Sequence, residues 1–161
     1  CLLGGTEFGH TVVQVGGVRC TCGREGCLES YASATGLIRM AREQMDKHPD
    51  SLLWKLCDGD KRKVNAELAF KASDEKDEAG MLAVQEYMKY LAAGVANAIN
   101  MFRPEVVVLG GGISNRGEKL AAELNEMVKG ECFGHTFVKP AEVVIASLKN
   151  DAGIIGAAEL C

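Results

Sequence analysis

The sequence has no apolar run approaching the roughly 20 residues that span a bilayer, which excludes a spanning helix within it. Its longest basic block is Lys61-Arg62-Lys63 and its formal net charge is −4, so nucleic-acid binding driven by charge is disfavoured. No Ser-His-Asp or Cys-His catalytic set is present, and no Gly-Lys-Ser/Thr follows a glycine-rich run, so there is no P-loop. The paired Cys-x-x-Cys or His-x-His spacings of nucleic-acid zinc fingers are missing too. There is no internal repeat and no low-complexity tract. No signal peptide is visible and the chain opens on Cys1 rather than methionine. The expectation is a fragment whose catalytic half lies upstream.

What is present describes one ordinary soluble domain: 161 residues, 47% hydrophobic and 25% charged, long enough to bury a real core. Seven cysteines would mean disulfides in a secreted chain of this size. Here three of them cluster while Cys1, Cys57, Cys132 and Cys161 are scattered, which fits a reduced cytoplasmic protein better.

The cluster organises the chain. Cys20-Thr-Cys22-Gly-Arg-Glu-Gly-Cys27-Leu-Glu29 comes after Glu7-Phe-Gly-His10. Thiolates and one imidazole suit the tetrahedral, borderline-soft demands of zinc. Cys-x-Cys cannot put both sulfurs on one face of a strand or helix, so the backbone must turn sharply, and Gly23 and Gly26 supply positive φ without steric cost. Cysteines one residue apart are poorly placed to bridge each other. His10, Cys20, Cys22 and Cys27 therefore read as one closed, structural zinc site, with no open position for zinc hydrolysis.

Around it the chain alternates strands and helices. Residues 1–9, with Gly4, Gly5 and Gly9 around Glu7, read as a loop. Thr11–Val15 reads as a short strand closed by Gly16-Gly17. Leu28 to Lys47 has helical spacing that Gly36 can break in two, and His48-Pro49-Asp50 stops it. Leu52, Leu53, Trp54 and Leu56 make an apolar knot, Cys57–Asp60 a turn, and Val64–Ala72 a moderate helix. Asp58 and Asp60 lack the other ligands of a calcium loop. Asp74–Phe102 is the strongest helix, with Val84, Met88, Leu91, Val95, Ala98 and Phe102 on one stripe and Met81, Met88 and Met101 as core filler. Glu105–Leu109 and Glu142–Ala146 read as strands buried on both faces. A helix carrying Leu120, Leu124, Met127 and Val128 lies between them, and Asn150 or Asp151 can cap a last helix with Ile154 and Ile155. The pattern is α/β, with helices covering a partly parallel sheet.

Two further constellations carry chemistry. Gly110-Gly111-Gly112 stands between a buried strand and a helix, where backbone can approach a nucleotide or simply turn tightly. Asn115 replaces the third glycine of the dinucleotide fingerprint. Glu7 and Glu29 bracket the cysteine loop, either as paired acceptors for a polyhydroxylated ligand or as a solvated side chain and a helix cap. His48 and His135 are isolated.

The motif Cys-x-Cys-Gly-x-x-Gly-Cys-x-Glu, preceded by Glu-Phe-Gly-His and followed by Tyr31 and Ser33, resembles the signature of the ROK family of bacterial sugar kinases and related repressors. Val106–Ser114 is similar to the family's adenosine-side loop, and 150–158 to its closing helix, so the resemblance covers essentially the whole chain. It implies an actin-like, ribonuclease-H-type fold with a mixed sheet, of which residues 1–161 form a single domain, most of the C-terminal half. It implies that zinc on His10, Cys20, Cys22 and Cys27 fixes a sugar-binding loop, that Glu7, His10 and Glu29 contact sugar hydroxyls, and that Gly110 and Gly111 line the adenosine pocket. The implied activity is phosphorylation of the 6-hydroxyl of a hexose by ATP with magnesium, with glucose as the first choice of substrate and N-acetylmannosamine, fructose or allose behind it. The implied assembly is a homodimer, without nucleic acid or membrane partners. The general-base aspartate and the phosphate loops precede Cys1 in that scheme, so no catalytic residue is expected here and the fragment alone should be inactive. The other readings are the sugar-sensing domain of a repressor and a zinc-stabilised interaction domain.

Overall fold

The structure, a computed structural model, describes residues 6–148 and 151–159. Gly4, Gly5, Asn150, Cys1 and Cys161 lie outside the described residues. The chain packs as two compact units, Cys1–Leu91 and Ala92–Cys161. Among the described residues no helix is long and apolar enough to cross a membrane.

The first unit is helical around a cysteine-bearing loop: α1 (Glu29–Ala32), α2 (Ala34–Lys47), α3 (Leu52–Leu56), α4 (Ala66–Asp74) and the beginning of α5 (Glu78–Phe102). The expected break near Gly36 occurs three residues earlier. Ser33 adopts extended backbone (φ −105, ψ 168), and its hydroxyl accepts the Gly36 N–H at 3.1 Å, capping α2. Gly36 serves close approach instead: a Cβ there would stand 2.7 Å from the Tyr31 carbonyl oxygen and 2.9 Å from that of Ser30. Leu37, Met40, Ala41 and Met45 then recur on one buried face of α2. With Leu53, Phe70, Val84, Tyr87 and Met88 they form the core, where Phe70 meets Tyr87 edge to face at 6.1 Å between centroids.

The structure corrects two expectations in this unit. Thr11–Val15 is not a strand. Val12 makes one antiparallel bridge to Cys27, and the N–H groups of Val13 and Gln14 both donate to the Gly26 carbonyl, at 2.8 and 3.2 Å, so no regular ladder extends. The helix expected from Asp74 starts instead at Glu78, because Lys76 takes a positive φ of 62 and the Asp77 carboxylate caps the first turn of α5.

Asp77 ties two helices together. Its carboxylate accepts the Gly80 N–H of α5 at 2.9 Å, the Leu52 N–H of α3 at 2.8 Å and the Ser51 hydroxyl at 2.7 Å. Partial burial alone would raise its pKa, but these three hydrogen bonds, with His48 nearby, outweigh it and hold the carboxyl below its ordinary value. A depressed carboxylate stabilises the fold fully above its unfolded pKa and loses that contribution as pH falls through the folded value. Asp77→Ala is therefore expected to cost about 1–3 kcal/mol at neutral pH. The gap to the unmutated chain should narrow as pH falls below about 4, checked by urea unfolding at pH 7 and pH 3.

The second unit holds the rest of α5, β1 (Val106–Leu109), a 3-10 turn (Gly112–Arg116), α6 (Glu118–Lys129), β2 (Glu142–Ile145) and α7 (Ala152–Ala158). β1 and β2 pair in parallel from Val106 opposite Glu142 to Leu109 opposite Ile145. Where a mixed sheet is expected, the described residues carry this two-stranded parallel one. Leu120, Leu124 and Val128 of α6 are buried together with Val143 of β2. The α6 residue Asn125 bonds both backbone groups of Val143, at 2.8 and 2.9 Å, in place of a further strand.

Burial on both faces does not hold for β1, where Val106 is 46% and Val108 56% exposed. The alternate residues Val107 and Leu109 are half-buried. Of the methionines expected as filler, Met88 is buried while Met81 and Met101 are exposed. On α5 the core position near its end is Ile99, and Phe102 is exposed. Asp151 occupies the N-cap of α7 but its side chain makes no capping bond.

Candidate metal centre

The loop from His10 to Cys27 folds as a knuckle of two crossing arms. The Gly26 N–H donates to the Val18 carbonyl at 2.9 Å and the Leu28 N–H to Thr11 at 2.8 Å. The tip turns through Cys20 N–H to Arg24 O at 2.7 Å and Gly23 N–H to Cys20 O at 3.0 Å. Gly23 and Gly26 adopt φ of +90 and +77, the left-handed backbone their positions require. Without those turns the Cys-x-Cys sulfurs would point apart.

The ligand atoms of His10, Cys20, Cys22 and Cys27 all lie within 4.8 Å of one another. Cys22 Sγ is 3.7 Å from Cys27 Sγ, and Cys20 Sγ is 3.6 Å from His10 Nδ1. Two sulfurs about 2.3 Å from a tetrahedral zinc stand about 3.8 Å apart, and a sulfur and an imidazole nitrogen about 3.5 Å apart. The measured pairs match tetrahedral edges and are far too long for a disulfide, and the three cysteines are free thiols. The donor set fits a soft dication.

The electrostatics of the thiols are uneven. The Cys22 backbone N–H lowers Cys20 to about 6, while burial, reinforced by the neighbouring sulfurs, pushes Cys27 up to about 11. Left without a cation, the buried Cys27 would keep its proton. A bound dication supplies the charge that makes thiolates of all three, releasing protons as it binds.

Two carboxylates face the same imidazole. Glu29, in the first turn of α1, places Oε2 3.3 Å from His10 Nδ1, and Glu7 places Oε2 4.0 Å from His10 Nε2. Both glutamates are exposed while His10 is half-buried. The structure therefore brings together Glu7, His10 and Glu29, and the knuckle's four ligands with them. Gly110 and Gly111 belong to the second unit, at the C-terminal end of β1. Gly111 has φ +76 and open space where a side chain would project, and the Ser114 hydroxyl donates to its carbonyl at 2.6 Å. Ligands of open α/β sheets bind at this end of the strands.

Sequence spacing missed the side chains that brace the knuckle. Arg24 donates to the His10 carbonyl at 3.2 Å, and the Tyr31 hydroxyl accepts the Val18 N–H at 2.7 Å. Tyr31 stood next to the motif, which was its one signal, and Arg24 gave none. His48 is tied locally, its Nδ1 2.8 Å from the Gln44 carbonyl, and His135 likewise to Cys132 at 3.1 Å. Asp58 and Asp60 pair with Lys63 and Arg62, at 2.9 and 3.0 Å, in a solvated turn.

An α/β chain with a three-cysteine, one-histidine knuckle flanked by two glutamates defines a narrow class. The ROK family matches residues 4–161, and the chain belongs to it. It is 42% identical over 156 residues to a glucokinase of Thermotoga maritima, covering 97% of this chain and 49% of that one. The crystal structure of a ROK family glucokinase from Streptomyces griseus in complex with glucose and AMPPNP superposes with a TM-score of 0.88 at 30% identity, over 96% of this chain and 50% of that chain. A xylose repressor of Caldicellulosiruptor bescii is 27% identical, over 93% of this chain and 37% of its own length. The chain spans about half the length of the glucokinases it matches. Its fold is that of the ROK sugar kinases, an actin-like α/β architecture.

Proposed function

We propose that this chain is most of the C-terminal half of an ATP-dependent hexose kinase, a homodimeric cytoplasmic enzyme acting on the 6-hydroxyl of glucose. The observation that carries the proposal is the convergence of three thiols and two exposed carboxylates around the single imidazole of His10. Zinc on His10, Cys20, Cys22 and Cys27 supplies no chemistry to the reaction and fixes the loop. With Nδ1 given to the metal, Nε2–H is a donor toward the ligand side, beside Glu7. Glu7 and Glu29 accept hydrogen bonds from sugar hydroxyls, an arrangement that orients a polyol without touching the transferred phosphoryl group. Gly110 and Gly111 leave room for adenosine at the end of β1, and magnesium accompanies the phosphates.

The base that deprotonates the sugar hydroxyl and the phosphate loops belong to the other half of the enzyme in this reading. The 161 residues by themselves should show no turnover. Similarity to a xylose repressor favours a second reading, a sugar sensor controlling DNA affinity, which uses the same knuckle and carboxylates. The higher identity to glucokinase favours the kinase.

A coupled ADP assay of the full-length parent across glucose, N-acetylmannosamine, fructose and allose tests both. Turnover, greatest with glucose, is expected from the parent and none from the isolated chain. Binding of a sugar without turnover, with altered DNA affinity, would give the repressor reading the field.

A further inference from the structure

The knuckle has to be held against the helix that carries Glu29, and one side chain does this. Tyr31 lies two residues beyond Glu29 on α1, so the same four-residue helix presents the carboxylate to His10 and the phenol to the base of the loop. The Tyr31 hydroxyl accepts the Val18 N–H at 2.7 Å, two residues before the first cysteine of the cluster. Val18 in turn accepts the Gly26 N–H through its carbonyl, the bond beside Cys27. Both arms of the knuckle are thus referred to one hydroxyl.

The ring is fixed. Tyr31 is 4% exposed, stacks on Tyr90 at 4.2 Å between centroids and carries the Arg39 guanidinium 5.4 Å above its face. Tyr90 reaches the same loop through Gln14 Oε1 at 3.4 Å. Gly17 is shaped to the phenol, because a Cβ there would collide with the Tyr31 hydroxyl. A residue whose only task was to fill the core would not need a glycine opposite its oxygen.

We propose that Tyr31 is a positioning residue, setting the distance between the metal-bearing arm and Glu29 and thereby the affinity for sugar and the hold on the metal. This rests on the kinase reading above. Tyr31 is not one of the four metal donors and acts through Val18 and the knuckle. Residues that orient metal ligands from outside typically change metal affinity or activity by about 10–100-fold when altered.

The test compares the full-length parent with Tyr31→Phe and with Tyr87→Phe. The latter removes another buried phenol hydroxyl, 3.5 Å from the Ala32 carbonyl at the end of the same helix, without removing the bond to the Val18 N–H. The readouts are zinc release to a chromogenic chelator, KM and kcat for glucose, and Tm. Tyr31→Phe is expected to release zinc about tenfold faster and to raise KM about tenfold, with kcat changed by less than about twofold. Tyr87→Phe should lower Tm and move neither. Unchanged KM and zinc release in Tyr31→Phe, or equal changes in both variants, would overturn the positioning role. A parent that holds no zinc or turns over no sugar would instead sink the kinase reading and the inference with it.

Discussion

Cys27→Ser is expected to take the zinc content of the parent protein from one equivalent to nearly none after brief exposure to a chelator. Cys27 is fully buried, and its sulfur forms one edge of the tetrahedron with Cys22. A serine hydroxyl is a hard, protonated donor at neutral pH, and it leaves three protein ligands where a structural site needs four. The stability gained from occupancy should vanish with it. A ligand present at 1,000 times its dissociation constant stabilises the folded state by about 4 kcal/mol, provided the unfolded chain binds it weakly. Chelation should therefore lower the urea midpoint of the unmutated protein and leave that of Cys27→Ser unchanged. Equal midpoints with and without chelator in the unmutated protein would remove the metal from the account of this fold.

The site was the more legible part of the sequence, and the reason is chemical. Metal ligands are few residue types at short spacing, so His10, Cys20, Cys22 and Cys27 could be named without knowing any long-range packing, and their ligand atoms do converge. Glu29, two residues past Cys27, is brought to the same imidazole, with its Oε2 3.3 Å from His10 Nδ1. The bracing side chains were not legible. Nothing local says that Tyr31 bonds the Val18 N–H or that Arg24 bonds the His10 carbonyl, because each depends on where the loop crosses itself.

The long helices were readable from period alone: α2, α5 and α6 bury apolar residues three and four apart. Their ends were less so. Asp77 looks like one more acid in a charged stretch until Ser51 and Leu52, 26 and 25 residues away, arrive to share it. Thr11–Val15 misled because β-branched residues suit a strand only where a ladder exists. Here the carbonyl of Gly26 takes two N–H groups, and Val15 projects into solvent, 90% exposed. β1 misled in the opposite sense. Its valines read as doubly buried, yet the described residues leave one of its faces exposed.

Alanine at Gly26 should damage the knuckle severely, and Gly23 provides its control. Both glycines lie in the knuckle with positive φ, +77 and +90, so alanine at either incurs the left-handed backbone penalty of about 1–2 kcal/mol. At Gly23 nothing stands within 4 Å of the added carbon, so that penalty is the whole effect. At Gly26 the carbon would collide with the Gln14 carbonyl oxygen and stand 2.7 Å from the carbonyl carbon. Those are backbone atoms and cannot rotate aside. To make room the arms must separate, breaking the bonds from Val13 and Gln14 to the Gly26 carbonyl and moving Cys27 next door. Overpacking of this kind adds about 1–3 kcal/mol to the backbone cost, for a total of about 2–5 kcal/mol. Gly26→Ala should then bind little zinc and raise KM for glucose steeply, while Gly23→Ala keeps its metal and melts only slightly earlier. Metal analysis and thermal unfolding of the two variants side by side decide it. If they lose the same stability and hold the same zinc, the crossing at Gln14 does not hold the knuckle together, and the turn at its tip must.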